Sequence, residues 1–229
     1  KTTMKNKDTI AASLICGDPL NLKEEINQLD NAKTDLIHFD VMDGLFVPRY
    51  GLYPEILTYL KKVTNIPVDV HMMVSNPEDY INDFHKAGAD YFNVHVESTN
   101  HLHRIVKKVR DIGMKPGVAL NPATPISQLD WIIKDIDMVV LMAINPGIVG
   151  HKLIPELINK IEKLRDYANQ NGNENLIIEI DGGVTPESIP LMVNAGADAL
   201  VCGTGTIFRP KEDTLDNKIN EIKNLINGL

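Results

Sequence analysis

Four short segments carry residue types that could do chemistry together: His38-Phe39-Asp40, Asp69-Val70-His71, Asp181-Gly182-Gly183 and Gly203-Thr204-Gly205. Residues i and i+2 of a strand face the same way, so an extended segment projects His38 and Asp40 together. If His71 and Asp181 meet them, two imidazoles and two carboxylates make a site for Zn²⁺, Fe²⁺, Co²⁺ or Mn²⁺. The plainer alternative is that each residue caps a strand or satisfies a turn. A single histidine would favour that alternative; four such residues at strand ends favour the metal. The glycines form a second constellation. Gly182-Gly183, Gly203-Thr204 and the loop from Gly147 to Gly150 could offer backbone N–H groups to a phosphate. A glycine pair alone is usually a turn. Three such loops on one rim put phosphate binding level with it.

Convergence requires elements that bring distant segments to one place. Short apolar, β-branched runs recur at 10–15, 35–41, 67–73, 91–96, 115–120, 138–143, 176–180 and 199–203. Between them lie helical stripes: Leu22, Ile26 and Leu29; Leu157, Ile161 and Leu164; Leu215, Ile219, Ile222 and Leu225. Pro77 after Asn76, and Pro186 after Thr185, read as the first turns of helices. Ala87-Gly88-Ala89-Asp90 and Ala195-Gly196-Ala197-Asp198 repeat before strands, with Ala32-Lys33-Thr34-Asp35 in the equivalent place. Glycine there suits the left-handed residue that closes a helix. Eight strands at about 29 residues per unit predict an α/β fold, the (β/α)8 TIM barrel. A doubly wound open sheet is the less favoured alternative. The expected division is a polar N-terminal extension, 1–9, and a barrel over 10–229. In such barrels the site lies at the C-terminal ends of the strands, where the four segments fall.

Composition narrows the function class. The net charge of −8 argues against nucleic acid as a partner. Cys16 and Cys202 form neither a disulfide framework nor a zinc cluster. No apolar run approaches the length of a membrane span, and residues 1–9 lack the apolar core of a signal peptide, so a cytoplasmic protein is expected.

Longer motifs now become recognisable. Asp40-Val41-Met42-Asp43-Gly44-Leu45-Phe46-Val47-Pro48 resembles a signature of the ribulose-phosphate 3-epimerase family. So do Val68-Asp69-Val70-His71-Met72-Met73-Val74, the run Gly117 to Pro125, and Ile178-Glu179-Ile180-Asp181-Gly182-Gly183. The resemblance extends from Ile10 to Phe208. It implies a barrel enzyme of the ribulose-phosphate-binding type that inverts C3 of a phosphorylated ketose with a divalent metal, often zinc or iron. The implied reaction interconverts D-ribulose 5-phosphate and D-xylulose 5-phosphate by two-base proton transfer through a metal-stabilised enediolate. His38, Asp40, His71 and Asp181 match the family's metal ligands, and Asp40 and Asp181 its acid/base pair. Ser13 and His71 match substrate-contacting residues, and Met42, Met73 and Met142 match methionines over the reaction centre. The resemblance also implies a homo-oligomer.

Some positions depart from the family pattern. The sixth loop, usually Gly-Phe-Gly-Gly-Gln, reads Gly147-Ile148-Val149-Gly150-His151, and Arg49 replaces the asparagine after Val47-Pro48. The motif Gly203-Thr204-Gly205-Thr206-Ile207-Phe208 is one residue longer than usual. With Cys16 it is closer to the allulose-6-phosphate 3-epimerase branch. That hexulose activity and a non-catalytic sugar-phosphate-binding barrel remain the alternatives. A metal-dependent aldolase would use the same enediolate, whereas an orotidine-phosphate-type decarboxylase would want a lysine after Asp69 that is absent. His95 and Glu97 stand either as partners of the metal ligands or as ordinary core and rim residues.

Overall fold

The computed structural model describes residues 9–148, 152–209 and 213–229. Eight parallel strands follow one another around a closed ring: β1 (Thr9–Ser13), β2 (Leu36–Met42), β3 (Val68–Met73), β4 (Tyr91–His95), β5 (Lys115–Leu120), β6 (Met138–Met142), β7 (Ile177–Asp181) and β8 (Ala199–Cys202). β8 pairs with β1, Ile10 beside Leu200 and Ala12 beside Cys202, so the sheet has no free edge. The ring excludes the open doubly wound sheet. Around it lie α1 (Leu22–Asn31), α2 (Pro54–Leu60), α3 (Ile81–Ala87), α4 (Leu102–Asp111), α5 (Glu156–Gln170), α6 (Ile189–Asn194) and α7 (Leu215–Asn227). Among the described residues no helix is long and apolar enough to cross a membrane.

Alternation along the strands separates two cores. In β2, Ile37, Phe39 and Val41 face outward and pack with the helices, alongside Leu29, Leu57, Val70 and Phe84. Leu36 faces inward, into a separate cluster with Ala11, Tyr91, Ala119, Met138, Val140, Met142 and Val201 that fills the barrel. All seven residues of β2 are buried, so the inward parity that buries Leu36 also buries His38 and Asp40.

The repeated Asp90, Asp198 and Asp35 explain themselves at the far end. Each carboxylate accepts a backbone N–H from the first or second residue of the preceding strand: Asp35 from Ile10, Asp90 from Val68 and Asp198 from Ile178, at 3.1, 2.9 and 2.8 Å. Gly88 and Gly196, at φ of +100° and +105°, close the preceding helices in the left-handed conformation, and Lys33 does the same at +51°.

Several local expectations are corrected. β1 stops at Ser13 because Leu14–Cys16 curl into a 3-10 turn, closed by Gly17 N–H on the Leu14 carbonyl. Pro186 lies in a turn, and α6 begins only at Ile189, with Pro190 in its first turn. Ser188 is responsible: its hydroxyl donates to the Gly183 carbonyl and accepts the Thr185 N–H, holding the backbone out of the helix. Pro77 opens a 3-10 turn, Pro77–Tyr80, that runs into α3. Between β5 and β6 the chain forms two 3-10 turns, Ile126–Leu129 and Ile133–Asp135, in place of an α-helix. Pro122 and Pro125 disfavour helical backbone at the residues before them.

Candidate metal centre and active site

The parity of β2, β3 and β7 brings His38, Asp40, His71 and Asp181 to one point at the barrel mouth. Their facing atoms all lie within 4.8 Å of one another. His71 Nδ1 stands 3.3 Å from Asp40 Oδ1 and 3.2 Å from Asp181 Oδ2. His38 Nε2 stands 3.2 and 3.5 Å from the same two oxygens. The two ring nitrogens are themselves 3.3 Å apart.

Such an arrangement suits a cation. Two lone-pair nitrogens and two carboxylate oxygens face one centre, and Asp40 Oδ1 is buried without a well-formed hydrogen bond. A nitrogen and carboxylate set of this kind matches divalent zinc, iron, cobalt or manganese. With no ion, protons must take up the charge. Burial opposes the charge on His71, yet the facing carboxylates of Asp181 and Asp40 push it up to about 9. Burial likewise opposes charge on His38, but Asp69 and Asp40 hold it well above the ordinary histidine range. Asp40 is held far below the usual carboxylate range by His38, against the opposing effect of burial.

Each histidine is gripped from behind. His38 Nδ1 lies 2.6 Å from Asp69 Oδ2 and 3.0 Å from Glu179 Oε1. Asp69 and Glu179 are fully buried, as is Asn93, which lies opposite His71 in the pairing of β3 and β4. Burial, and then the charge of Asp69, push Glu179 up to about 8. His71 Nε2 lies 2.8 Å from His95 Nε2, and His95 Nδ1 lies 3.1 Å from Glu97 Oε2. Burial brings His95 down to about 4; Glu97 falls to about 2, burial being outweighed by its hydrogen bonds to His95 and Thr124. His95 and Glu97 are thus partners of a proposed ligand.

Asp69 falls within a candidate segment of the sequence but is given no role there, and Glu179 is given none. The signal was present, since each stands two residues before a ligand candidate and shares its face.

Above the centre opens a cleft of about 290 Å³ lined by Ser13, Asp40, Met42, Met73, Met142, Gly147, Asp181, Gly182, Gly183, Gly203 and Thr204. Ser13 Oγ is 3.4 Å from Asp40 Oδ2. Met42 and Met73 form an apolar lip with Ile15, Phe46 and Val47, and Met142 belongs to the barrel filling below. His71 is fully buried and does not line the cleft, because its ring is enclosed by the ligand cluster and His95. Gly150, with Val149 and His151, lies outside the described residues. Arg49 is the one basic side chain lining the cleft among the described residues.

Residues 9–208 match the sequence model of the ribulose-phosphate 3 epimerase family. The chain is 42% identical over 195 residues to the ribulose-phosphate 3-epimerase of Bacillus subtilis (strain 168), covering 85% of this chain and 90% of that protein. It is 40% identical over 209 residues to the ribulose-phosphate 3-epimerase of Synechocystis sp., covering 90% of each. Among solved structures, KGPDC from Streptococcus mutans superposes with a TM-score of 0.76 at 14% identity, over 96% of this chain and 97% of that one, a likeness of fold alone.

Proposed function

The chain belongs to the ribulose-phosphate 3-epimerase family, and on that footing we propose that it is a divalent-metal-dependent isomerase interconverting D-ribulose 5-phosphate and D-xylulose 5-phosphate. The observation that carries the proposal is the meeting of Asp40 and Asp181 with His38 and His71 at the floor of the cleft. His38, Asp40, His71 and Asp181 are the residues that would hold the ion, which when bound supplies positive charge to oxygens beside the reacting carbon.

Asp40 comes from β2 and Asp181 from β7, with β1 and β8 between them on the short way round. One carboxylate takes the proton from C3, and its electron pair moves towards the C2 carbonyl to give an enediolate. The other carboxylic acid returns a proton to the opposite face of C3. Each turnover therefore leaves the two carboxyl groups with exchanged protonation, and the proton must equilibrate with water before the next. Ser13 Oγ–H is placed to donate to Asp40 and hold one carboxylate oxygen in position. Met42, Met73 and Met142 offer soft apolar surface that excludes water without competing donors. The glycine loops at Gly147, Gly182-Gly183 and Gly203-Thr204 would present backbone N–H groups to the phosphate.

The test is proton–deuterium exchange at C3, followed by NMR on metal-loaded protein in heavy water, with D-ribulose 5-phosphate and D-allulose 6-phosphate side by side. The expected result is faster inversion of the pentulose, with deuterium appearing in the product before it appears in recovered substrate. Faster inversion of the hexulose would move the assignment to the allulose-6-phosphate branch. Exchange with neither sugar would overturn the epimerase proposal in favour of a binding role.

A further inference from the structure

The chain of groups behind His71 has only one consistent set of protons once an ion is bound, and it ends at a rim residue far from the ion. His71 Nδ1 faces Asp40 and Asp181, so a bound ion needs its lone pair and the ring proton must sit on Nε2. That nitrogen is 2.8 Å from His95 Nε2. The ring planes are 23° apart with centroids separated by 4.9 Å, which at that nitrogen separation places the rings edge to edge in nearly one plane. His71 Nε2–H therefore points at a lone pair on His95 Nε2, and the proton of His95 is on Nδ1. Nδ1–H donates to Glu97 Oε2 at 3.1 Å. The other oxygen of Glu97 accepts the Asn121 N–H at 2.7 Å and the Thr124 hydroxyl at 2.5 Å. Phe46 lies against the His95 ring, 4.9 Å between centroids, and limits its rotation. Lys160, from α5, fastens the same loop from the other side by donating to the carbonyls of Asn121, Pro122 and Thr124.

We infer that His95 and Glu97 are positioning residues which fix the tautomer and ring plane of His71, so that a carboxylate at the barrel rim sets the affinity of the metal centre without touching the ion. The inference rests on the metal centre proposed above. It has a sharp chemical consequence in Glu97→Gln. If the amide oxygen stays with Asn121 and Thr124, the NH₂ group faces His95 Nδ1 and the whole chain must reverse. His95 then donates from Nε2, and the proton of His71 moves to Nδ1, where the ion must sit. If the amide turns round instead, the two loop donors lose their acceptor.

The experiment measures Zn²⁺ and Co²⁺ affinity by competition with a chromophoric chelator for the unmodified protein, Glu97→Gln, Thr124→Val and Lys160→Met. Glu97→Gln is expected to weaken binding by about 10- to 100-fold. Thr124→Val and Lys160→Met loosen the loop but leave the carboxylate on His95, so their affinity is expected to stay at the unmodified level while the melting temperature falls. Long-range ¹H–¹⁵N correlation on the unmodified zinc-loaded protein needs no variant: it should show His71 protonated at Nε2 and His95 protonated at Nδ1. Equal loss of affinity in Glu97→Gln and Lys160→Met, unmodified affinity in Glu97→Gln, or a proton on His95 Nε2 would each overturn the inference. Failure of the unmodified protein to bind either ion would overturn the metal centre itself, and with it this inference.

Discussion

Gly51 offers a direct way to ask how finely Asp40 must be placed. The loop after β2 folds back on the strand it leaves: Gly51 N–H donates to the Met42 carbonyl at 3.1 Å and Leu52 N–H to the Asp40 carbonyl at 2.8 Å. A Cβ built on Gly51 would sit 2.6 Å from Asp40 O and 2.7 Å from Met42 N, both backbone atoms that no side-chain rotation can move away. The backbone of Gly51 is not left-handed, so Gly51→Ala acts through contact alone. The loop or the strand must retreat by roughly 0.8 Å before that contact is an ordinary one. Overpacking of this kind costs about 1–3 kcal/mol. For a chain of this length that is a fall in melting temperature of roughly 2–12 °C. The kinetic effect follows from what is displaced, since the crowded carbonyl belongs to a residue proposed both as metal ligand and as acid/base. Misplacing such a group by a good fraction of an ångström lowers kcat/KM by about 10- to 100-fold. Gly113→Ala is the control: nothing lies within 4 Å of its Cβ, but its φ of +100° makes alanine strained. It is expected to cost about 1–2 kcal/mol of stability and nothing in rate. Epimerisation rates, chelator competition and thermal unfolding on both variants decide the matter. If Gly51→Ala melts early yet keeps full metal affinity and turnover, the close approach of this loop does not set Asp40.

Three further outcomes are expected. Asp181→Asn should still bind the sugar phosphate but lose C3 inversion by about 10²- to 10⁴-fold, and normal turnover in it would sink the two-carboxylate assignment. Saturating divalent metal, at about a thousand times its Kd, should stabilise the fold by about 4 kcal/mol, so coincident melting curves with and without a chelator would contradict the centre. In the metal-free protein, His71 is pushed up to about 9 and Glu179 up to about 8. The stabilisation from His71 is complete below the ordinary histidine value and disappears as pH rises through about 9. Glu179 adds in the same direction, because its buried carboxyl favours the fold while protonated, and that advantage fades as pH rises towards about 8. Asp40, held low, acts oppositely and only in acid. The melting temperature of the metal-free protein should therefore fall between about pH 6 and pH 9, and a flat or rising trend there would refute the proton-laden picture of the empty cluster.

Period and parity make most of this molecule legible in its sequence. β-branched runs of strand length, separated by stripes of helical period, placed all eight strands to within two residues at each end, and β5 to the residue. The same parity put His38 and Asp40 on one face. What escaped was non-local or depended on competition between neighbours. Nothing in the local sequence announces that Glu97 holds a loop 24 to 27 residues away, or that Ser188 claims the backbone and delays α6. Pro122 and Pro125 disfavour helical backbone before them in the β5–β6 connection, where the regular alternation of strands and helical stripes predicts a helix.

Asp69 and Glu179 are the instructive omission, because a physical requirement would have found them. An imidazole that turns one nitrogen to a metal carries a proton on the other, and deep in a barrel that proton needs an acceptor. The candidates are the inward positions one layer down, two residues before each ligand: Leu36 and His38 on β2, Asp69 on β3 and Glu179 on β7. Of these the two acids are the side chains that can accept that proton's hydrogen bond, and both lie within 3.0 Å of His38 Nδ1, with Asp69 Oδ2 the nearer at 2.6 Å. Buried acids beneath a cluster that already holds two aspartates would be hard to justify as packing, since each costs desolvation with no apolar gain. Asp69 becomes intelligible as the acceptor for a histidine whose other face is committed to a cation, and Glu179, pushed up to about 8, as the acid beside that pair.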